Sequence, residues 1–455
     1  MVNENEILKN ASAVTTNACK LCTPLGACVA MKGIENAMTL LHGSQGCATY
    51  IRRYLISHFR EPIDIASSNF TENTTIFGGG LNLSTGLRNV STQYHPKVIG
   101  VATTCLSETI GEDVANLIRN YQKEDTAGDH PFVIHMSTPS YKGTHMDGFH
   151  AVTRAAVDTL AKAGTPKKQL NILPGFVSPA DLRYLKEILA DLHVEYVMLP
   201  DYSETLDGPT WDDYQKIPGG GTTIEAIQTM GCSQATIELG RTLDTDFTAG
   251  SILRDRFKTL RFQLGMPIGI RETDLFLELL KTYAAAPLPV KYELERGRLV
   301  DSYIDGHKYV FEKKAIVYGE EDLVVGLAGF LSEIGMVPVL CASGGTSGRL
   351  AKAIHEVAPG LDGKITVKQG VDFMEIGSEA EKLGADLFIG NSKGYQSSRK
   401  LNVPLVRVGF PIHDRIGGQR ILHLGYRGAQ ELFDRIVNAL LEKKQDDSAV
   451  GYSYM

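Results

Sequence analysis

Short apolar runs alternate with longer helical patterns along most of the 455-residue chain. Strands alternating with helices build parallel sheets through right-handed crossovers, and continuous apolar runs indicate strands that helices cover on both faces. The pattern therefore predicts an α/β fold. The predicted strands are 97–102, 132–135, 170–173, 194–199, 315–318, 338–341, 385–389 and 404–408, and the predicted helices include 114–121, 179–192, 323–334 and 429–443.

The length predicts more than one domain, since a domain usually has about 100–200 residues. We expect three Rossmann-like domains with parallel sheets flanked by helices: 1–165, 166–300 and 301–455, the last closing on a C-terminal helix. The candidate boundaries are the polar segment 163–168 and the charged segment 291–298. Residues 205–221, rich in glycine, proline and acids, are predicted to form a surface loop.

The charge and the motifs exclude several classes of function. The net charge is −7, whereas nucleic-acid binding calls for a basic face. No run of about 18 apolar residues predicts a membrane span, and the polar residues 1–10 lack the features of a signal peptide. We therefore expect a cytoplasmic protein. No GxxxxGK[ST] phosphate loop is present, and the segment 344–348 lacks the lysine, so we expect a turn there and no ATP on this chain.

The cysteines are concentrated near the start of the chain. Five of the seven lie within the first 105 residues, and an odd number does not suggest a disulfide framework. Clustering favours metal or redox chemistry, but free cysteines also serve as small buried apolar residues. Composition alone leaves these two interpretations evenly matched.

The loop positions of the cysteines make a shared site plausible. Cys105 directly follows the strand 97–102, Cys47 follows the apolar stretch 38–41, and Ser140 follows the strand 132–135. Ligands collect at the carboxyl ends of parallel strands, so we expect these loops to converge on one edge of the first sheet. Spacing alone does not identify the ligand, because neither the compact ferredoxin run nor a paired zinc CxxC is present.

The full motifs are more specific than the spacing. The motif His42-Gly-Ser-Gln-Gly-Cys47 comes with further segments at 48–50, 57–62, 71–79, 137–141, 174–179, 206–209 and 409–415. Together they resemble the beta-type subunits of nitrogenase component 1 and its relatives, over residues 17–441. The resemblance implies an oxidoreductase that acts as part of a heteromeric complex and is not catalytic alone.

The resemblance also implies a cofactor and its ligands. Cys22, Cys47 and Cys105, at intervals of 25 and 58 residues, match the three beta-side thiolate ligands of an eight-iron P-cluster. Ser140 matches the serine whose oxygen can bind the oxidised cluster, although such a hydroxyl is more often a turn residue. Phe77 matches the apolar residue near which an ATP-binding homodimeric iron protein docks, although it could equally be a packed loop aromatic.

The implied assembly is an α2β2 heterotetramer in which an alpha-type partner supplies three further cysteines and holds the active-site cofactor. Tyr50 and Arg52, beside the Cys47 loop, are candidates for the electron path or the subunit contact, and His42 is interpreted as a structural hydrogen-bonding group. Cys19 and Cys28 are expected to be neighbours of the cluster or simply buried, with packing favoured for Cys28, and Cys232 and Cys341 are expected to be core residues.

Three readings compete within this superfamily. The chain is the beta subunit of a dinitrogenase, the beta-type half of the scaffold for the iron–molybdenum cofactor, or the beta-type subunit of a nitrogenase-like reductase such as methylthio-alkane reductase. The presence of all three cysteine ligands disfavours the scaffold subunit. The segments 390–392, 414–419 and 424–428 nevertheless resemble the scaffold subunit, and the segment 17–22 departs from the usual dinitrogenase sequence. This mixture favours the nitrogenase-like reductase. A metal-free or zinc-binding interaction subunit is the alternative of a different class.

Overall fold

Parallel sheets follow one another along the chain in the computed structural model, which describes residues 17–124 and 130–451. Within these residues there are three sheets, of four, four and five strands, and every strand pair is parallel. The predicted α/β fold with three parallel-sheet units flanked by helices is therefore confirmed.

The first sheet has the strand order β2-β1-β3-β4. Its strands are β1 (Ala37–His42), β2 (Ala66–Ser67), β3 (Val98–Thr103) and β4 (Phe132–Met136). β1 and β3 are buried along their whole length, as strands covered on both faces should be. The helices of this unit are α1 (Thr23–Met31), α2 (Gln45–Phe59), α3 (Glu72–Phe77), α4 (Gly80–Tyr94), α5 (Cys105–Thr109), α6 (Val114–Glu124) and α7 (His145–Leu160).

The second sheet has the order β6-β5-β7-β8. Its strands are β5 (Lys167–Leu173), β6 (Tyr196–Met198), β7 (Ser233–Leu239) and β8 (Leu260–Leu264). No helix or strand lies between Met198 and Ile224, in agreement with the surface loop predicted for 205–221. The helices are α8 (Pro179–Asp191), α9 (Ile224–Thr229), α10 (Ala249–Phe257), α11 (Gly269–Lys281) and α12 (Val290–Val310), with a 3-10 turn at Met230–Cys232.

The third sheet has the order β11-β10-β9-β12-β13. Its strands are β9 (Lys314–Gly319), β10 (Val337–Ser343), β11 (Thr366–Lys368), β12 (Leu387–Gly390) and β13 (Leu405–Arg407). The helices are α13 (Glu321–Glu333), α14 (Leu350–Val357), α15 (Phe373–Leu383), α16 (Tyr395–Leu401) and α17 (Gly425–Asp446), with 3-10 turns at Pro359–Leu361, Ser392–Gly394 and Gly418–Arg420.

Two strands of the second sheet were not predicted from the sequence. β7 carries Glu238 at a fully buried position, and its carboxylate accepts a hydrogen bond from Arg261 of β8 at 2.7 Å. Polar residues inside a buried strand interrupt the apolar run by which such a strand is recognised. A buried charge is tolerated here because it is paired with another.

The charged segment 291–298 is not a linker, contrary to its interpretation as a candidate boundary. It lies inside α12, and its Lys291 forms ion pairs with Glu187 at 2.7 Å and Asp191. Charges that pair across a helix surface look like a polar linker in the sequence. The proposed division between residues 300 and 301 therefore passes through a continuous helix, and the domain limits remain a prediction.

The cysteines outside the candidate site differ in burial. Cys19, Cys28 and Cys341 are buried, and burial raises the pKa of the Cys28 thiol to about 12, so Cys28 is a packing residue as expected. Cys232 is partly exposed, so its assignment to the core was wrong. It ends a 3-10 turn at the surface just before β7.

No helix in the described parts of the chain combines the length and the apolar character needed to cross a membrane. The residues 1–10, on which the expectation about a signal peptide depends, lie outside those parts.

A buried polar contact joins the second unit to the third. Asp181, in the first turn of α8, is fully buried and accepts hydrogen bonds from the backbone N–H of His423 at 2.7 Å and of Leu424 at 3.0 Å. Its carboxylate also lies 2.8 Å from Nδ1 of His423. Burial raises the pKa of Asp181, but the charge of His423 and these hydrogen bonds lower it by more, so the net shift of the pKa is downward.

We expect Asp181→Asn to lower the free energy of unfolding by about 3 kcal/mol at pH 7, because it breaks a buried charged contact. Because the pKa of Asp181 is lower in the folded than in the unfolded state, its contribution to folding stability is complete above the unfolded-state pKa of about 3.9. That contribution is lost as the pH falls through the folded-state pKa. The difference between wild type and variant, measured by chemical denaturation, should therefore narrow below about pH 4. Asp255→Asn, at an exposed position, is the control and should leave stability unchanged. Equal destabilisation by both variants would contradict the prediction.

Candidate metal centre

Cys22 lies at the start of α1, immediately before its first residue. Every residue of α1 is buried, and the helix packs closely against α7. A Cβ atom at Gly148 of α7 would overlap the carbonyl oxygen of Thr23, and one at Gly26 would overlap that of His145. The two glycines let the helix backbones touch, and this contact sets the position of Cys22.

A buried histidine holds the segment before Cys22. The Nδ1 atom of His145 accepts a hydrogen bond from the backbone N–H of Leu21 at 3.4 Å, and its Nε2 lies 3.0 Å from the Glu320 carboxylate. The ring therefore connects the Cys22 segment to the third unit. Nothing in the sequence motifs pointed to this histidine.

Cys47 lies in the first turn of α2, directly after the loop that ends β1. The Ser44 side chain caps the helix by accepting a hydrogen bond from the Gly46 N–H at 3.2 Å. The helix has no acidic residue in its first turn. Cys47 therefore lies at the positive end of the α2 dipole, in a first turn without a competing carboxylate.

Cys105 begins α5, one residue after the Thr104 cap that follows β3. The loop is tied to the Cys47 loop through the carbonyl oxygen of His42. That oxygen accepts hydrogen bonds from the N–H of Thr104 at 3.1 Å, its hydroxyl at 3.2 Å and the hydroxyl of Ser107 at 2.8 Å. Both cysteine loops consequently leave the same sheet edge, as the sequence predicts.

Ser140 lies between two of the cysteines. Its backbone N–H donates to Sγ of Cys105 at 3.2 Å, and its hydroxyl oxygen accepts a hydrogen bond from the N–H of Thr23 at 3.3 Å. Ser140 therefore follows β4 into the site, where its oxygen lies next to the Cys22 segment. The predicted convergence of Cys22, Cys47, Cys105 and Ser140 is seen in the structure, while their role as ligands remains a prediction.

The three thiols are close enough to influence one another. Burial raises the pKa of Cys47, and the charges of Cys22 and Cys105 raise it further. Cys22 is exposed, and Cys47 and Cys105 are partly exposed, in contrast to the buried Cys19, Cys28 and Cys341. Three thiolates gathered at a surface repel each other, and a bound cationic metal group would remove that repulsion.

The donor set fits an iron–sulfur cluster. Thiolates are the ligands that iron–sulfur clusters prefer, and N–H groups such as that of Ser140 donate to the sulfurs. Across residues 17–124 and 130–451, no group of three or more histidine, cysteine, aspartate or glutamate side chains is arranged around a single metal ion.

His42 is a structural hydrogen-bonding group, as predicted. Its Nδ1 lies 3.0 Å from the Ser68 hydroxyl and its Nε2 2.6 Å from the Glu112 carboxylate. Burial lowers the pKa of His42 although Glu112 opposes the shift, which favours the neutral ring. Glu112, which sequence reasoning missed, also accepts a hydrogen bond from the N–H of Gly79, two residues after the exposed Phe77.

Tyr50 and Arg52 lie on α2 near the Cys47 loop. Tyr50 is half exposed, and its ring centroid is 4.6 Å from that of Tyr54. Arg52 donates to the carbonyl of Ile63 at 2.8 Å and pairs with Asp64 at 3.3 Å. Both of these contacts of Arg52 are with residues of its own chain.

Comparison with known proteins agrees with this geometry. The model of the family described as nitrogenase component 1 type oxidoreductase matches residues 22–441. The molybdenum–iron protein beta chain of nitrogenase from Clostridium pasteurianum is 37% identical, over 95% of this chain and 94% of that chain. The vanadium–iron protein beta chain from Trichormus variabilis is 34% identical, over 96% of this chain and 97% of that one.

Solved structures agree as well. A chain of nitrogenase Cp1 determined at pH 6.5 superposes with a TM-score of 0.92 at 35% identity, covering 96% of both chains. A chain from the Cp1 structure at pH 5 superposes with a TM-score of 0.68 at 16% identity, over 96% of this chain and 91% of that chain, which reflects the fold alone.

We expect Gly148→Ala to lower the free energy of unfolding by about 1–3 kcal/mol, because the added methyl group overlaps the backbone of α1. Gly297→Ala is the matched control. Gly297 lies inside α12 with no atom within 4 Å of the added Cβ, and alanine is the better helix former by about 1 kcal/mol. Chemical denaturation of both variants checks the prediction. A Gly148→Ala variant as stable as wild type would show that the close helix contact does not constrain the Cys22 segment.

Proposed function

Because the chain belongs to the nitrogenase component 1 type oxidoreductases and is similar to their beta chains, we propose that it is the electron-relay subunit of a nitrogenase-like reductase. The observation that carries the proposal is the convergence of Cys22, Cys47 and Cys105 at the carboxyl edge of the first sheet. Its electrons would come from an ATP-dependent iron protein and pass to a cofactor in an alpha-type partner.

The thiolates of Cys22, Cys47 and Cys105 would hold a cluster of the P-cluster type, with Ser140 as an additional oxygen ligand. Such a cluster supplies one-electron storage and transfer. The exposure of Cys22 supports a cluster shared with a partner, because a cluster held within one chain would have its thiolates buried. In an α2β2 assembly the alpha-type subunit would cover these thiols and supply the remaining cysteines.

The iron protein would dock on the apolar surface around Phe77. The side chain of Phe77 is 86% exposed, and those of Ile76 and Leu81 are similarly exposed. Exposed apolar residues grouped on a surface are typical of docking sites. Support for a role in electron delivery comes from Glu112, which contacts both the buried Gly79, two residues after Phe77, and His42 before the Cys47 loop.

We expect Cys47→Ala and Cys105→Ala to remove cluster iron and to abolish electron transfer, because each variant deletes a thiolate that no other residue replaces. The complex with the alpha-type partner is purified without oxygen, and its iron-to-protein ratio and electron transfer from the iron protein are measured. Cys232→Ala is the control, since Cys232 is also partly exposed but lies in the second unit. Wild-type iron content in both variants would refute the assignment of ligands.

For the substrate, we propose a small thioether, as in methylthio-alkane reductase. The support is the position of the segments that resemble the scaffold subunit rather than dinitrogenase. In the segment 390–392, Ser392 accepts a hydrogen bond from the N–H of His413, whose ring centroid lies 4.9 Å from that of Tyr54 on the Cys47 helix. The segment 390–392 therefore lies, through His413, close to the helix that carries Cys47.

Dinitrogen is the second candidate substrate, and a different observation supports it. The relatives at 37% and 34% identity are beta chains of molybdenum–iron and vanadium–iron nitrogenases, and each aligns over nearly its whole length. Because the sequence identities to the molybdenum–iron and vanadium–iron beta chains are similar, they do not favour either metal for the cofactor of the alpha-type partner.

The proposed thioether reductase activity predicts which substrate the complex consumes. The purified complex is supplied with its iron protein and ATP and is given dinitrogen, acetylene or a methyl thioether in parallel. Hydrocarbon and thiol released from the thioether, with little ammonia from dinitrogen, are the expected products. Ammonia as the main product would instead support dinitrogenase. Bound iron near zero in wild type would favour a metal-free interaction subunit, and bound zinc would favour the zinc-binding one.

A further inference from the structure

Lys393 lies beside the Cys22 segment, although it is far from it in the sequence. It belongs to the 3-10 turn that follows β12, where the Asn391 side chain accepts a hydrogen bond from its N–H at 3.1 Å. Its side chain is partly buried, and Nζ donates to the carbonyl of Ala18 at 3.5 Å. The ammonium group also lies 6.0 Å from the centroid of the Tyr54 ring.

The ammonium group lacks a carboxylate partner. Over residues 17–124 and 130–451, no aspartate or glutamate oxygen lies within 4.0 Å of Nζ of Lys393, whereas other lysines such as Lys186 and Lys291 form ion pairs. A partly buried cation without an anion is costly, and the hydrogen bond to Ala18 supplies only part of the compensation. The position therefore calls for a nearby negative charge.

Two cysteines are within electrostatic range of Lys393. Burial lowers the pKa of Lys393, and the charges of Cys19 and Cys22 raise it. Cys19 does not supply the anion, because burial and the charge of Glu320 raise the pKa of its thiol to about 12. Cys22 is exposed and is the thiol that the geometry places in the candidate site.

We propose that the ammonium group of Lys393 places a fixed positive charge next to the thiolate-bound cluster at Cys22 and stabilises the reduced state of that cluster. The inference rests on the proposed function, since it requires a cluster at this site. A one-electron reduction adds a negative charge to the cluster, so a fixed positive charge nearby favours the reduced form and raises the reduction potential. Partial burial strengthens the effect because little water screens it.

The test is a comparison of Lys393→Gln, Lys393→Arg and wild type, each purified without oxygen as the complex with the alpha-type partner. Glutamine retains a donor for the carbonyl of Ala18 but removes the charge, and arginine retains both. The readouts are the iron-to-protein ratio and the midpoint potential of the cluster, from a redox titration followed by electron paramagnetic resonance. Lys352→Gln, which changes a lysine on the exposed face of α14, is the control.

We expect Lys393→Gln to shift the midpoint potential to a more negative value at unchanged iron content, with Lys393→Arg and Lys352→Gln close to wild type. Loss of iron in Lys393→Gln with full iron in Lys393→Arg also supports the proposal, because these variants differ in charge.

A wild-type midpoint potential in Lys393→Gln would overturn the proposal. Loss of iron in both Lys393 variants, or a shift in Lys393→Arg equal to that in Lys393→Gln, would also overturn it. Wild-type complex without iron would instead contradict the proposed function.

Discussion

The candidate site depends on the close contact between α1 and α7. Cys47, Cys105 and Ser140 follow strands of the first sheet, so the sheet alone brings them to one edge. Cys22 precedes a buried helix that lies outside the sheet, and the close backbone packing at Gly26 and Gly148 holds that helix beside the others. Larger residues at either position would separate the helices and with them the thiols.

The charges around the site are arranged to favour an anionic group. The first turns of α1 and α2 contain no acidic residue, and Ser140 directs an N–H toward Cys105. Lys393 adds a positive charge from the third unit. His58 is neutral, because burial and the charge of His413 lower its pKa to about 3, and its Nδ1 accepts a hydrogen bond from the N–H of Ile412. The protein therefore contributes placement and electrostatics, as the proposed relay role requires.

Much of the architecture was predictable from the sequence. Buried parallel strands need apolar residues on both faces, so β3, β5 and β9 stand out as apolar runs. β7 did not stand out, because Glu238 interrupts its apolar run. The partner that makes this buried charge tolerable, Arg261, lies on another strand. The segment 291–298 misled for a related reason, since the ion pairs that hold Lys291 against α8 become visible only when the helices are packed.

The sequence by itself determined the α/β class and the family resemblance, because strand patterns and motifs are local. It separated Cys22, Cys47 and Cys105 from the other cysteines only through that resemblance. The tertiary structure decided that these three thiols are the gathered ones, and that Cys19 and Cys28 are buried away from solvent. It also decided the contacts of His145, Glu112 and Lys393. Each acts through a partner distant in the chain, and such contacts leave no periodicity or spacing in the sequence.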